Sequence, residues 1–431
     1  MMTSASRRSI AFIDAMEILD SRGRPTIRVN VMLDSGVTGS AAVPSGASRG
    51  RLEAHELRDG DLKRYLGQGV LKAVDHVRNE IAVDLIGRDA REQPAIDQRL
   101  IELDGTPDKS RLGANAILGV SMAVARAAAV ESGVPLYRNL ASSSRRIIPM
   151  PMFNVLNGGL HARSSAFDFQ EFMLVPVGAP NFAEALRYAA ETFQALGNLL
   201  AALGHSTAVG DEGGFAPRMM GGNEAACETI VRAIEKAGYR PGVDLAIALD
   251  PAASGFRVDG HYRLHRSGDR LLDTAGMIEL FERWIQRFPI VSIEDGLAED
   301  DWDGFAAMTR RLGDRIQIVG DDNFVTNPSL IQRGIDQKSA NAALIKLNQI
   351  GTVTETIDAV RLCQSAGWRT VVSHRSGETE DAFIADFAVG VAAGQIKSGA
   401  LSRSERLAKY NRLLEIEREL GDAAEFVNPY R

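Results

Sequence analysis

The stretch IVSIEDGLAEDDWDGFAAMTRRLGDRIQIVGDDNFVTNPSLIQRGIDQKSANAALIK, residues 290–346, indicates the fold of this 431-residue chain. It contains three short apolar runs, which stop at Glu294, Asp321 and Lys346, and helix-forming segments separate the runs. Short apolar runs that alternate with helices of moderate length are typical of parallel strands joined by helical crossovers. The stretch therefore predicts consecutive strand–helix units of an α/β domain.

The same alternation continues on both sides of this stretch. One apolar run precedes it and ends at Asp250, and two follow it, one ending at His374-Arg375 and one at Lys397. The helix candidates between the runs are 274–288, 302–312, 328–337, 353–366 and 380–393. In a (β/α) barrel the carboxyl ends of the strands open onto one face, where the catalytic residues lie. A charge at one strand end is usually only solvated, but six in series with complementary signs favour a shared site.

Three of these strand-end residues, Asp250, Glu294 and Asp321, are candidate metal ligands. Carboxylates that converge on one point raise each other's pKa, so a cation between them would stabilise the group. Ligands that are all oxygen favour Mg²⁺ over zinc or copper, and no histidine or cysteine adjoins these positions. The alternative is a structural set of salt bridges, in which the strand-end lysines neutralise the carboxylates.

Lys346 is the candidate base. Divalent cations nearby would disfavour its ammonium form, so the amine could be neutral near working pH and accept a proton. Removal of a proton beside a carboxylate gives a dianionic intermediate that needs several positive charges, and Mg²⁺ can supply them. Taken alone, a lysine at a strand end is more often a surface charge.

The N-terminal part of the chain has a different pattern, which predicts an α+β domain. Segments 26–33 and 37–43 alternate polar and apolar residues on either side of a turn, and this predicts an antiparallel hairpin. Helical patterns follow over 61–86, where glycines interrupt the pattern, and over the alanine-rich segment 114–132.

A polar segment over 141–146, followed by two prolines, marks the boundary between the two patterns. We therefore expect an N-terminal α+β capping domain over residues 1–140. Residues 141–431 would form the C-terminal barrel that carries the active site.

The composition excludes several classes of protein. With 45% hydrophobic and 24% charged residues, the chain can bury a large core and is not a disordered protein. Its 49 Lys and Arg against 56 Asp and Glu give a net charge of -7, which argues against a nucleic acid or an anionic membrane as partner. Cys227 and Cys363 are too few for a disulfide framework, and no segment resembles a secretory signal or a membrane span. We expect a soluble, cytoplasmic protein with a small-molecule ligand.

Eight short strings carry a resemblance to a known family. They are ILDSRG (18–23), PSGAS (44–48), ELRDGD (56–61), GANAIL (113–118), QEFM (170–173), GDEGG (210–214), SIED (292–295) and SHRSGET (373–379). Together they span most of the chain and resemble the enolase (phosphopyruvate hydratase) family. The resemblance implies an α/β protein, with an N-terminal α+β cap on a modified (β/α)8 barrel whose first elements depart from the regular order. It also implies a homodimer or an octamer.

The resemblance implies a lyase of glycolysis that dehydrates 2-phosphoglycerate to phosphoenolpyruvate. In this reaction Lys346 would remove the C2 proton, and Glu212 would help the C3 hydroxyl to leave. Glu171 would lie near Glu212, and His161 would join the site when the lid closes.

The resemblance also implies two Mg²⁺ ions per active site. Asp250, Glu294 and Asp321 would bind the first ion, and Ser48 would bind the second. The substrate-binding residues implied by the family are Gln170, His374, Arg375, Ser376 and Lys397.

Two lid segments depart from the family pattern. Arg49 stands where threonine is usual, and the segment 161–170, which contains Arg163, is one residue longer than usual. Drift in surface loops is the simpler account, because loops tolerate insertions. Alternatively, the two arginines accommodate an extra anionic group, as in enolase-like carboxyphosphonoenolpyruvate synthases that dehydrate a phosphonate analogue.

A hypothesis of another class is a binding protein that kept the fold and lost catalysis. Such a protein would have a broken site, whereas the acidic residues and lysines of this chain's catalytic set are intact. The sequence therefore favours an enzyme.

Overall fold

The computed structural model describes residues 8–47, 49–141, 144–162 and 165–430. The N-terminal part begins with a three-stranded antiparallel sheet. Its strands, in spatial order, are β1 (Ile10–Leu19), β2 (Pro25–Leu33) and β3 (Thr38–Ala42). The pairing of β2 with β3 confirms the predicted hairpin.

Helices cover one face of this sheet. They are α1 (Leu71–His76), α2 (Ala82–Leu85), α3 (Gln93–Asp104), α4 (Ala114–Glu131) and α5 (Leu136–Asn139). Among the described residues, α4 is the one helix long and apolar enough to cross a membrane by length and composition. It is 83% buried inside the protein and packs on β2 and β3, as a core helix does.

The predicted helix over 61–86 is wrong in its first ten residues, because the helix starts at Leu71. Tyr65 and Leu66 have left-handed backbone conformations, which an α-helix does not tolerate. The Asp59 carboxylate accepts the backbone N–H groups of Leu71 and Lys72 at 3.0 and 2.8 Å, so it caps a helix that begins there.

The C-terminal part is a closed barrel of eight strands. The strands, in ring order, are β11 (Ile290–Glu294), β12 (Gln317–Gly320), β13 (Ala342–Ile345), β14 (Arg369–Ser373), β15 (Gly394–Lys397), β5 (Met150–Asn157), β6 (Glu171–Val175) and β7 (Ala246–Asp250). β6 is antiparallel to both of its neighbours, and the other pairs are parallel. This confirms a barrel whose first elements depart from the regular order.

Short strands lie outside the barrel. They are β4 (Ile147–Ile148) with β16 (Glu425–Phe426), and a three-stranded sheet of β8 (Arg257–Val258), β9 (His261–Leu264) and β10 (Arg270–Leu272). The β8–β10 sheet follows β7 and therefore lies at the mouth of the barrel.

Helices connect the barrel strands. They are α6 (Phe182–Ala202), α7 (Gly222–Lys236), α8 (Thr274–Arg287), α9 (Trp302–Leu312), α10 (Pro328–Gln337), α11 (Leu347–Ile350), α12 (Val353–Ser365), α13 (Phe383–Gly390) and α14 (Ser404–Leu420). Four of the predicted helices agree with α8, α9, α10 and α12 to within one residue. The fifth, 380–393, is too long, because Asp381 caps α13 at the N–H of Phe383 and Ala392 is left-handed beyond its end.

Buried polar contacts join the two parts of the chain. Arg126 of α4 makes two hydrogen bonds to Asp381, at 2.7 and 2.6 Å. Asp97 of α3 accepts the N–H of Thr354 at the start of α12 at 2.9 Å. These contacts fix the N-terminal part against the rim of the barrel and hence against the strand ends that form its mouth.

We expect Arg126→Met to lower the free energy of unfolding by about 3 kcal/mol, because it leaves Asp381 buried without its partner. Burial alone would raise the pKa of Asp381, but the charge and hydrogen bonds of Arg126 outweigh burial and lower it. This stabilisation is present above the ordinary carboxyl pKa and is lost as the pH falls through the lowered one. Urea unfolding should therefore show a larger loss at pH 7 than at about pH 2.5, below the ordinary carboxyl pKa of 3.8.

Arg240→Met is the matched control, since Arg240 pairs with Asp244 on the surface with 72% of its side chain exposed. We expect little change in its unfolding midpoint. Equal losses in the two variants would contradict the assignment of Arg126 as a buried link between the two parts.

Candidate active site

Charged side chains from the strand ends meet at the mouth of the barrel. Asp250 and Glu294 are the last residues of β7 and β11, and Lys397 is the last residue of β15. Asp321 and Lys346 directly follow β12 and β13. All five are buried, so their charges interact at short range with little screening by water.

Lys397 lies among three carboxyl groups, those of Glu294, Asp250 and Glu171. Its Nζ is 2.7 Å from Glu294 Oε1, 3.2 Å from Asp250 Oδ2 and 3.4 Å from Glu171. Burial raises the pKa of Glu294 well above its ordinary value, and the charge of Asp250 raises it further. The pKa of Lys397 is also raised, because the surrounding carboxylates outweigh the effect of its burial. This side of the mouth therefore holds three carboxyl groups around one ammonium group.

Lys346 is held beside Asp321. Its Nζ is 2.5 Å from Asp321 Oδ2, and Gln349 donates to the other carboxylate oxygen at 2.9 Å. The backbone N–H of Lys346 donates to Thr326 Oγ1 at 2.9 Å, and that hydroxyl donates to Gln349 Oε1 at 2.7 Å. The backbone and the side chain of Lys346 are thus fixed by the same small network.

Glu171, Glu212 and His161 form a second cluster. One ligand atom from each lies within 4.8 Å of the others, and all three residues are buried. Burial raises the pKa of Glu171 well above its ordinary value, and the charge of Glu212 raises it further. Burial would also raise the pKa of Glu212, but His161 and His374 beside it outweigh burial and lower it. The opposite directions favour a protonated Glu171 beside an ionised Glu212.

The loop after β14 brings Arg375 and Ser376 to the mouth. Arg375 donates to both oxygens of Glu53, at 2.9 and 3.1 Å, and to Asn348 Oδ1 at 2.9 Å. Ser376 Oγ is 3.0 Å from His161 Nε2. The predicted phosphate residues thus lie in contact with a carboxylate of the first lid and with the histidine of the second.

The other predicted residues of the lids are placed as follows. Gln170 is buried, and its backbone N–H donates to the carbonyl oxygen of Asp250 at 3.0 Å. Arg49 is paired with Glu56. Ser48 and Arg163 lie outside the described residues.

The oxygen ligands at the mouth fit a divalent cation in their chemistry. Asp250, Glu294 and Asp321 are buried carboxylates on three adjacent strands, although Lys397 and Lys346 lie among their oxygens. Among the described residues, a different acidic trio, Asp295, Asp321 and Asp322, has its oxygens within 4.8 Å of one another. The oxygens of the predicted trio are not grouped as closely as this. The ammonium groups of Lys397 and Lys346 provide the positive charge beside them.

A cleft leads to the catalytic side chains. The space between Glu212, Lys346 and Lys397 is only about 20 Å³, whereas the adjoining cleft has about 780 Å³. Gln170 lines both, and Arg49 and the β8–β10 sheet line the cleft. A substrate would therefore enter between the lids and separate the lysines from the carboxylates.

Sequence reasoning missed several residues that position this site. They are Glu53, Asn154, Gln349 and Arg406. Asn154 had a recognisable signal, since it is a polar residue inside the apolar strand β5, and its amide donates to Glu212 at 3.0 Å. The other three had no comparable local signal, because each acts on a residue far away in the sequence.

Comparisons with known proteins agree with this arrangement. A family model described as the enolase N-terminal domain matches residues 10–140, and one described as the enolase C-terminal TIM barrel domain matches residues 145–429. A protein named Enolase 1 from Methylococcus capsulatus is 61% identical over 417 residues, covering 97% of this chain and 99% of that protein. An enolase from Desulfotalea psychrophila is 62% identical over 414 residues, covering 96% of this chain and 97% of that enolase.

Proposed function

The chain belongs to the enolase family, and we propose how its own residues carry out the reaction of that family. It is a hydro-lyase that dehydrates 2-phosphoglycerate, a phosphorylated hydroxy acid, and it depends on a divalent metal ion. The observation that carries the assignment of roles is the position of Lys346 opposite the Glu171–Glu212 pair.

Lys346 and Glu171 lie on opposite sides of the mouth, which supports their assignment to the base and to the acid pair. β13, which precedes Lys346, is four strands away from β6 in a ring of eight. Because β6 is antiparallel, its first residue, Glu171, lies at the mouth beside Asp250. A substrate between the two sides would present C2 to Lys346 and the C3 hydroxyl to the carboxyl pair.

We assign Lys346 as the base that removes the C2 proton. Thr326 and Gln349 hold its backbone and its partner Asp321, so its amine is positioned before the substrate binds. Asp250, Glu294 and Asp321 would hold the first of two Mg²⁺ ions, and Ser48 would belong to the second. Bound there, the ions supply positive charge for the dianionic intermediate.

We assign Glu212, with Glu171 beside it, as the acid that protonates the leaving hydroxyl. Glu171, whose raised pKa favours its protonated form, would supply the proton that Glu212 passes to the leaving hydroxyl. Arg375 and Ser376 would bind the phosphate, so Glu53 must release Arg375 when the substrate enters. Lys397 would bind the substrate carboxylate, with His161, Gln170 and His374 closing the site.

The remaining assignments concern organisation. We propose that residues 1–140 form the capping domain and residues 141–431 the barrel domain. We also propose a homodimer or an octamer in the cytoplasm that binds neither nucleic acid nor membrane, in keeping with the net charge of -7.

The phosphonate alternative receives less support than 2-phosphoglycerate. The relatives that are 61% and 62% identical to this chain are named enolases. Arg49, one of the two arginines behind the alternative, already has an anionic partner in Glu56. An unpaired Arg49 would have favoured an extra anionic group on the substrate.

Steady-state dehydration of 2-phosphoglycerate by the purified chain tests the proposed function. With Mg²⁺ we expect a kcat/KM of at least roughly 10⁴ M⁻¹s⁻¹, within the usual range of enzymes. Exhaustive chelation should abolish the activity, and added Mg²⁺ should restore it. Full activity after chelation would refute the metal assignment, and a negligible rate with Mg²⁺ would refute the substrate.

A further inference from the structure

Arg406, on the first turn of α14, is a fully buried arginine at the back of the active site. Its Nη1 donates to Nδ1 of His374 at 2.7 Å. Its Nη2 donates to the carbonyl oxygens of Asp211 and Ser376, at 3.0 and 2.5 Å. One guanidinium therefore joins the loop around Asp211, which carries the acid, to the loop that carries His374.

The contact with Arg406 determines which nitrogen of His374 carries the proton. A guanidinium has only donors and stays charged, so Nδ1 of His374 must accept with its lone pair. A proton on Nδ1 would place two hydrogens between the two nitrogens. His374 is therefore neutral and carries its proton on Nε2, which is 3.5 Å from Oε2 of Glu212.

A second N–H group faces the same oxygen of Glu212. Asn154 Nδ2 donates to Glu212 Oε2 at 3.0 Å. With two donors directed at Oε2, an acid proton on Glu212 can lie only on Oε1, which is 3.5 Å from His161 Nδ1. The other tautomer of His374 would turn a lone pair toward Oε2 and attract the acid proton to the wrong oxygen.

We propose that Arg406 is a positioning residue, which directs the acid proton of Glu212 to Oε1 by holding His374 as the Nε2–H tautomer. The inference rests on the proposed function in one respect, since Glu212 must be the acid. The contact between Arg406 and His374 does not depend on that role and can be measured by itself.

Three charged groups face the His374 imidazole: Glu212, Lys397 and Arg406. Burial lowers the pKa of His374 to about 3, and Arg406 and Lys397 lower it while Glu212 opposes them. The imidazole therefore stays neutral throughout the working pH range. Without the charge of Arg406 the pKa of His374 would be lowered less, while burial would still favour the neutral imidazole.

Nitrogen NMR of the full-length, Mg²⁺-loaded protein labelled with ¹⁵N-histidine tests the contact directly. The chain has seven histidines, and the His374 signal is the one lost in His374→Asn. We expect wild-type His374 to be the neutral Nε2–H tautomer from pH 6 to pH 9. A proton on Nδ1, or a charged imidazole, would overturn the proposal even if no Arg406 variant folded.

Arg406→Gln is the main variant, because an amide can accept as well as donate and so permits both tautomers. We expect His374 to give signals of both tautomers. We expect kcat to fall by about 10- to 100-fold, which is less than the largest rate enhancement that a positioned acid contributes. The KM for 2-phosphoglycerate should stay within about threefold, since phosphate binding is unchanged. Arg406→Lys keeps a charged donor and should recover the Nε2–H tautomer and part of kcat.

Arg412→Gln is the matched control on the same helix. Arg412 makes two hydrogen bonds to Asp386, at 2.9 and 3.0 Å, so the substitution also removes a partly buried ion pair. In this variant the His374 tautomer signal and the pH profile of kcat should equal those of the wild type. An Arg406→Gln enzyme with the native tautomer and unchanged kcat would overturn the proposal. A wild-type enzyme inactive on 2-phosphoglycerate would refute the proposed function instead, while the NMR result would still decide the Arg406 contact.

Discussion

Lys346→Ala should abolish the exchange of the C2 proton of 2-phosphoglycerate with solvent and lower kcat by at least roughly 10³-fold. The physical reason is the position of its amine, which is 2.5 Å from Asp321 in a side chain only 11% exposed. Lys397 cannot replace it, because its amine is held by Glu294 and Asp250 in another part of the mouth. Loss of deuterium from substrate labelled at C2, followed by NMR, measures this step without requiring dehydration.

The control for this variant is Lys236→Ala, which removes an exposed lysine at the end of α7. It should exchange the C2 proton and turn over at wild-type rates. Exchange that persists in Lys346→Ala at more than about a tenth of the wild-type rate would exclude Lys346 as the base. Another group would then have to remove the proton.

Glu212→Gln should behave differently, retaining much of the C2 exchange while losing dehydration by roughly 10² to 10⁴-fold. Glutamine has nearly the shape of the acid but has no proton to give to the leaving hydroxyl. Lys346 and its partner Asp321 belong to the other side of the ring, so removal of the C2 proton should continue. Exchange and dehydration are measured on the same enzyme sample, the first by NMR and the second by product absorbance.

The two variants together separate the two steps. Equal loss of exchange and dehydration in both variants would contradict the division between base and acid. A Glu212→Gln enzyme that dehydrates at the wild-type rate would point to Glu171 alone as the proton donor. Since the raised pKa of Glu171 favours its protonated form, Glu171→Gln should also impair dehydration, and the size of that loss shows how the acid role is divided.

The sequence predicted six of the eight barrel strands well, because each of those six is an apolar run that ends at a charge. All six predicted strand ends, from Asp250 to Lys397, lie at or next to the observed ends. Buried parallel strands are apolar throughout, and a charge in such a run marks the point where the strand leaves the core. The same regularity located six of the charged residues now found at the mouth, including Arg375 after β14.

The sequence predicted poorly where a single side chain outside a helix decides the residue at which that helix begins. The helix predicted from residue 61 starts at Leu71 because Asp59 caps it there. Asp381 delays α13 in the same way. Helical periodicity reports which face of a segment is apolar, but it does not report which carboxylate will accept the first free N–H groups.

The supporting contacts of the site were also beyond the sequence. Arg406 is one of several charged residues on a helix with mixed polarity, and only the fold shows that it is buried against His374. Glu53 belongs to a loop whose contact with Arg375 spans both parts of the chain. Such contacts depend on tertiary packing, which no local pattern encodes.

The central claim is that the carboxylates of three neighbouring strands hold a divalent ion beside Lys346. Anomalous diffraction from crystals of the protein with Mn²⁺ in place of Mg²⁺ and with bound substrate measures this most directly. We predict a peak within about 2.3 Å of oxygens from Asp250, Glu294 and Asp321, with Lys346 Nζ directed at C2. A peak bound instead by Asp295, Asp321 and Asp322, with Lys397 still in contact with Asp250 and Glu294, would contradict the claim.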